Sequence, residues 1–426
     1  EGHERTAMKE LCKTVMDRRT FLGTAFAAAL AARGVADESG RQESHRETKA
    51  MRETTYWMHG FGGDPKATAR ALKEAGFGVV VAGGEAVIEA VNEVGMDAWL
   101  CGGAFGFGGL DDADSHKAVD ILGEPQVWFG SGSPNSPAIR AANLKAYEDM
   151  VATKGVKGIL VDGCRFASPA SGLRPFFTDF SIHSEKKAAA LGFDFARMKQ
   201  DVRKAFDLIS GLGGNSGRDA VWLSSAVGVV EWLTEHPGVL DWFRFRRVCA
   251  TEHFRDISAI IHGAGLRMGV YIFTPSIAPL VGQSYADLAP FVDVLAPMIY
   301  RNYPDRPGPA CLNWELMVIP EELGLVGKPE EAAAMGLILS WTGLAEVVPS
   351  RSIEEIRAAV PPEAVGHETA MARACLPRDK ELAPIIYIDD PEMTKTAALV
   401  RDNGANGVNF FVFKDNWREM TRPAMG

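Results

Sequence analysis

The segment Gly158-Ile-Leu-Val-Asp-Gly-Cys-Arg-Phe166 runs apolar residues straight into an aspartate, a glycine and an arginine. An acid at the C-terminal end of a buried parallel strand is where (β/α)8 barrels present catalytic groups, because all eight strands aim at one mouth. Asp162 is the first candidate for chemistry, as nucleophile or charge stabiliser, with Arg165 near enough to orient it or bind substrate. The plain alternative is a turn cap paired with that arginine. Ala296-Pro-Met-Ile-Tyr-Arg301 is second: a proline inside an apolar run marks a special strand end. Tyr300 can donate to a sugar hydroxyl and Arg301 can hold a carboxylate, or the two are a core tyrosine and a surface arginine. Asp389-Asp390 is third. Adjacent acids can split their pKa values, and glycoside hydrolysis needs one protonated and one ionised carboxyl group. Asp390-Pro391 also reads as a helix start, so one of the pair is expected to cap. Asp389 is the first choice for general acid, followed by Asp390, Glu85 and Asp415. A carboxyl separation of about 5 Å from Asp162 predicts retention, and about 6.5–9.5 Å inversion.

Weaker candidates complete the set. His59 and Glu85 follow the first and second strands. Trp57, Trp99, Trp128 and Trp314 can stack on sugar or simply fill core. No second histidine stands at metal-ligand spacing, so no metal site is expected, and no organic cofactor is indicated. The glycine-rich Gly102–Gly109 lacks the Lys-Ser/Thr of a phosphate loop.

Eight segments read as strands that could carry these groups: Thr54–His59, Phe77–Ala82, Asp97–Cys101, Gly158–Val161, Met268–Phe273, Val292–Tyr300, Ala383–Ile388 and Val408–Phe413. Most are short apolar runs, as strands buried on both faces must be. Helical segments lie between them, at Pro65–Ala75, Glu85–Val94, Ser136–Thr153, Ile257–Ala264 and Pro391–Asn403, each followed by or running into a glycine. This rhythm predicts an α/β fold, a (β/α)8 TIM barrel, with an open doubly wound sheet as the alternative. Long insertions follow strands 3, 4 and 6, on the side of the mouth. The first contains Val119–Phe129, a hairpin turning at Gly123. The second carries a long helix from about Ser184 to Ser210 and a Trp/Phe-rich helical stretch, Trp232–Phe245.

The bulk numbers narrow the function. The chain has 426 residues, 46% hydrophobic and 23% charged, with a net charge of −10. That composition buries a large core, and the acidic surface argues against nucleic acid or anionic membranes. Neutral or cationic small substrates, sugars included, fit it. Near the N-terminus, Asp17-Arg-Arg-Thr-Phe-Leu-Gly23 precedes an Ala-rich run, the pattern of a twin-arginine export signal with cleavage near Ala36. Residues 1–36 are thus expected to be an upstream extension and a signal read by the export machinery, 37–53 a flexible linker, and 54–420 a single barrel domain. The mature protein would be periplasmic or extracellular, with no membrane span. The six cysteines are scattered and form no C-x-x-C pair.

The chain resembles bacterial glycoside-hydrolase-like TIM-barrel proteins. The resemblance is carried by Gly158–Phe166, Phe177-Thr-Asp-Phe-Ser181 with Ala190–Asp194, Ile272–Gln283, Ala296–Arg301 and Gly308–Leu312. It implies a barrel, an export signal and chemistry on a carbohydrate substrate. Related sequences place cysteines where Ser181-Ile-His-Ser184 stands, so a metal or disulfide role there is absent. The expectation is an exported glycosidase acting on an oligo- or polysaccharide. Its rivals are a non-catalytic carbohydrate-binding barrel and a different barrel hydrolase or lyase using His59.

Overall fold

A computed structural model describes residues 54–211, 225–302 and 310–425. The signal and linker assigned to residues 1–53 lie outside the described residues. Eight parallel strands form the barrel: β1 Thr55–His59, β2 Phe77–Val81, β3 Asp97–Gly102, β4 Gly158–Val161, β5 Arg267–Phe273, β6 Val294–Met298, β7 Ile385–Tyr387 and β8 Gly407–Phe411. Each pairs with the next in sequence. Closure is by β8 on β1, with Trp57 opposite Asn409. The seam between β6 and β7 is thin, because Ala383-Pro384 interrupts the strand that begins at Glu381–Leu382. A proline there can donate nothing to the ladder.

The barrel is filled from its floor upward. Side chains alternate along a strand, so every second residue points into the lumen. Trp57 and Trp99 meet edge to face at 5.0 Å and are fully buried. Glycines on neighbouring strands make room for them. A Cβ on Gly158 would lie 2.6 Å from the Trp99 ring and 2.7 Å from Arg267 O. One on Gly269 would lie 3.2 Å from Trp99, and one on Gly407 3.2 Å from Trp57 Nε1. Two large indoles thus occupy the volume that several smaller side chains fill in other barrels.

The outer layer follows local capping rules. Pro65–Glu74 begins at Asp64, whose carboxylate accepts from Ala67 N at 2.8 Å. Pro137–Val151 begins at Ser136 in the same way. Two expectations change in the insertion after β4. The single helix from Ser184 to Ser210 is two, Ile182–Leu191 and Phe195–Ser210. Gly192 at φ +77° ends the first and Asp194 caps the second. Conversely, the stretches expected at Trp232–Phe245 and Ile257–Ala264 largely belong to one helix, Pro237–Gly263, entered through Pro237. No proline or glycine interrupts it from Val239 to His262, so nothing stops it.

This insertion has its own core of Phe166, Phe176, Phe177, Phe180, Trp242 and Phe245. Arg246 is buried at its centre, stacked 3.9 Å from the Trp242 ring centroid and donating to Thr178 O, Phe176 O and Leu280 O. Asp179 anchors the adjoining turn by accepting from Val119 N, Ser133, Ser181 and Ser184. The hairpin after β3 is present as Ala118–Val119 with Pro125–Gln126, turning through Gly123 at φ +96°.

Candidate active site

Strand parity brings His59 of β1, Cys101 of β3, Tyr271 of β5 and Phe411 of β8 to the upper lumen, with Asp162 just past β4. Asp162 N continues the ladder to Gly102 O at 2.8 Å, which fixes the backbone on which the side chain stands. The carboxyl group is half-buried and accepts from Gly163 N at 2.7 Å. Burial pushes its pKa above the usual range, while the Arg165 charge and the Gly163 bond oppose that rise.

His59 Nδ1 lies 2.8 Å from Tyr271 Oη, which also accepts from Asn409 Nδ2 at 3.2 Å. Burial lowers the His59 pKa to about 4, so the ring is neutral at physiological pH. Its second face meets Phe411 at 5.1 Å, and Tyr300 packs on Phe411 at 5.4 Å. Cys101 opens onto the lumen beside Asp162, and burial followed by that neighbouring carboxyl pushes its thiol up. A thiol raised in this way is a poor nucleophile.

Arg165 is almost fully buried, between the Phe273 ring at 4.8 Å and the Phe129 ring at 5.5 Å. Asp162 and Glu315 both act on its charge. Glu315, on helix Leu312–Glu322, is a buried acid the sequence reading passed over. It accepts from Ser168 Oγ at 2.8 Å, Ala170 N at 2.9 Å and Ala310 N at 3.0 Å. Burial still lifts its pKa to about 7. Both of its oxygens are engaged in holding the loops after β4 and β6, which is a positioning arrangement.

The remaining candidates divide. Asp389 stands half-exposed past β7, ion-paired to Lys414 Nζ at 2.8 Å and accepting from Tyr387 Oη at 3.0 Å. The next residue is different. Asp390 binds Arg301 through two bonds of 2.6 Å, and both side chains are buried. Arg301 also donates to Val360 O at 2.9 Å. With its fork committed, Arg301 holds the loops after β6 and β7 together and is not the substrate clamp the sequence suggested. Asp390 is the other half of this ion pair and also accepts from Glu392 N at 2.9 Å, so it is not a free acid. The helix then starts at Met393 rather than at Pro391. Trp57 lies 1% exposed in the barrel floor, out of reach of any sugar. Glu85, the first residue of helix Glu85–Glu93, and Asp415, in the loop after β8, are exposed.

Tyr271, Asn409, Cys101 and Tyr387 were legible only by counting alternate residues from Asp162 and His59 on each strand. Phe129 and Glu315 lie in insertions, where no such periodicity operates. Among the described residues, no cluster of three or more His, Cys, Asp or Glu side chains is placed to hold a metal ion. No described helix is long and apolar enough to cross a membrane.

No family model and no curated protein matches the chain. Solved structures to which it is similar include the catalytic domain of β-amylase from Paenibacillus polymyxa, at 13% identity and a TM-score of 0.49, covering 88% of this chain and 95% of that one. The PgaB (BpsB) glycoside hydrolase domain from Bordetella bronchiseptica matches at 11% and 0.47, over 88% and 99%. A chitinase from Chromobacterium violaceum matches at 10% and 0.39, over the same shares. Likeness at this level carries no argument about activity, and the barrel rests on the strand pairing described above.

Proposed function

We propose that this barrel is an exported glycoside hydrolase in which Asp162 is the general acid. The observation that carries the reading is the Asp162 carboxyl group itself: lumen-facing, half-buried and biased by burial toward its protonated form. A carboxyl group whose pKa is raised at the mouth of a barrel is suited to give a proton to a glycosidic oxygen. Asp162 would give its proton to the bridging oxygen as the bond from that oxygen to the anomeric carbon breaks. The second carboxyl group would be Asp389, ion-paired to Lys414 just past β7. Asp389 would then either attack the anomeric carbon or take a proton from the attacking water. These roles are the reverse of the expectation from sequence, and the burial of Asp162 is the reason.

Tyr300, Tyr387, Phe411 and His59, which pack against one another at the strand ends, would present ring faces to a sugar. Export rests on the twin-arginine pattern alone. The test is hydrolysis of a broad panel of oligosaccharides and nitrophenyl glycosides by the mature protein and by Asp162→Asn. Cleavage by the wild type and its loss in the variant is the expected result. An Asp162→Asn protein that cleaves as well as the wild type would remove Asp162 from the mechanism. A wild type inert on every sugar would leave a binding barrel.

A further inference from the structure

The geometry points to a substrate subsite at Phe129 and Arg165 that receives a carboxylate-bearing sugar ring, a uronic acid residue. The inference deepens the glycosidase reading and rests on it. Three observations converge. Phe129 sits at φ +48° and Gly130 at φ +77°, in a turn closed by Ser131 N to Trp128 O at 2.8 Å. Positive φ at both central positions favours Asn-Gly or Asp-Gly, so a phenylalanine there is strained. Strain of this kind persists where a side chain must be presented in one direction. Second, Phe129 is 50% exposed, whereas most aromatic residues among the described ones are buried.

Third, the guanidinium over this ring, 5.5 Å from its centroid, has few partners among the described residues. Arg165 is 4% exposed. Among the described residues its side chain makes one hydrogen bond, Nη1 to Phe166 O at 3.1 Å, and no salt bridge. A guanidinium has five donors, and a buried charge is ordinarily paired. Glu315 and Asp162 favour its charge, but burial opposes them and is the larger influence, and neither acid bonds to it among the described residues. Glu315 spends both oxygens on Ser168, Ala170 and Ala310. Asp162 accepts from Gly163 N and makes no ion pair with Arg165 among the described residues. A planar carboxylate is the group that matches a guanidinium fork. The sugar ring bearing it would lie against Phe129, and Asp162, three residues from Arg165 in the same loop, would stand beside the adjoining glycosidic oxygen.

The test is calorimetric titration of the Asp162→Asn protein, in which cleavage is slowed about 10²-fold or more, with uronic acid trimers (galacturonate and mannuronate) and neutral trimers (cellotriose and maltotriose). Tighter binding of a uronate trimer, by about tenfold or more, is expected. Phe129→Ala in that background should weaken the uronate trimer by about tenfold. Arg165→Gln should abolish the preference for acidic sugar. Because Arg165 is buried, that variant must first show a wild-type circular dichroism spectrum; Phe129→Ala, at an exposed site, carries the test if it does not. Neutral trimers binding as tightly as uronates, no trimer binding, or an indifferent Phe129→Ala would each overturn the subsite. Incubating the same trimers with wild type separates the two readings. Uronate binding without cleavage sinks the glycosidase and keeps the subsite, whereas cleavage of neutral trimers with no effect of Phe129→Ala does the opposite.

Discussion

Two opposing influences act on the carboxyl group of Asp162: the surrounding protein favours its neutral form, and Arg165 with Gly163 N favours the anion, with burial the larger. If Asp162 is the acid, its deprotonation ends catalysis. The alkaline limb of kcat/KM should therefore fall above the ordinary carboxylate range, and the residual activity of Asp162→Asn should lack it. The loss of rate in that variant should be about 10²-fold or more with an unchanged melting temperature, as for removal of a general acid. His59 provides the contrast. Its pKa of about 4 makes it neutral throughout the physiological range, with Nδ1 already engaged by Tyr271. His59→Gln should leave the pH profile between about pH 5 and 8 unchanged in shape. A limb near neutrality that vanishes in this variant would instead favour a His59-based hydrolase or lyase. Asp162 was readable from sequence because an apolar strand points to its own last residue. The competing roles of Asp389 and Asp390 were not, since only the fold shows that one faces Lys414 and the other Arg301.

Between elements, the Arg301–Asp390 pair joins the loops that follow β6 and β7, where the barrel seam has the fewest ladder bonds. Removing one partner leaves a buried charge, which costs about 3–5 kcal/mol in comparable pairs. Asp390→Ala should accordingly lower stability in urea by an amount of that order, and an Arg301→Met/Asp390→Leu double variant should recover much of it. Equal loss in the single and double variants would show that the pair's charges are not what matters. The same level explains what the sequence hid about the floor. By residue type alone Trp57 could be a sugar platform or core filler. Gly158 and Gly269 beside Trp99, and Gly407 beside Trp57, lie far apart in sequence, and only closure of the sheet shows that they vacate space for two indoles. Gly158→Ala should cost about 1–3 kcal/mol, as overpacking does, read as a drop in urea midpoint at constant m. An unchanged midpoint would mean that Trp99 relaxes freely.

For the whole molecule, eight apolar runs separated by glycine-capped helices were enough to indicate the barrel, because a parallel strand buried on both faces leaves a simple pattern. The insertions left weaker traces. Their helices obey caps and stops that compete locally, as at Gly192 and Asp194, and their core of aromatic residues has no period. Burial on this scale also sets how stability responds to pH. Glu315 and Glu368 are both buried and both lifted to about 7 from an ordinary value of 4.5. For each, the unfolded chain releases its proton first. The stability they carry is complete below about pH 4.5 and is lost as pH rises through about 7. His59 and His253, lowered by burial to about 4 and about 3, act in the other direction and lose stability as pH falls below 6.5. The two trends overlap between about pH 4.5 and 6.5, so the net curve of the wild type is flattened there. A difference between proteins isolates one group. Glu368 accepts from Ser276 N at 3.2 Å, a bond that the carbonyl of a glutamine can keep. Glu368→Gln removes the ionisation with little change in shape. Its stability relative to wild type should rise progressively from about pH 5 to about pH 8, by at most about 3 kcal/mol, followed as melting temperature across that range. A difference between the two proteins that is constant with pH would mean that Glu368 ionises as easily in the folded barrel as in the unfolded chain.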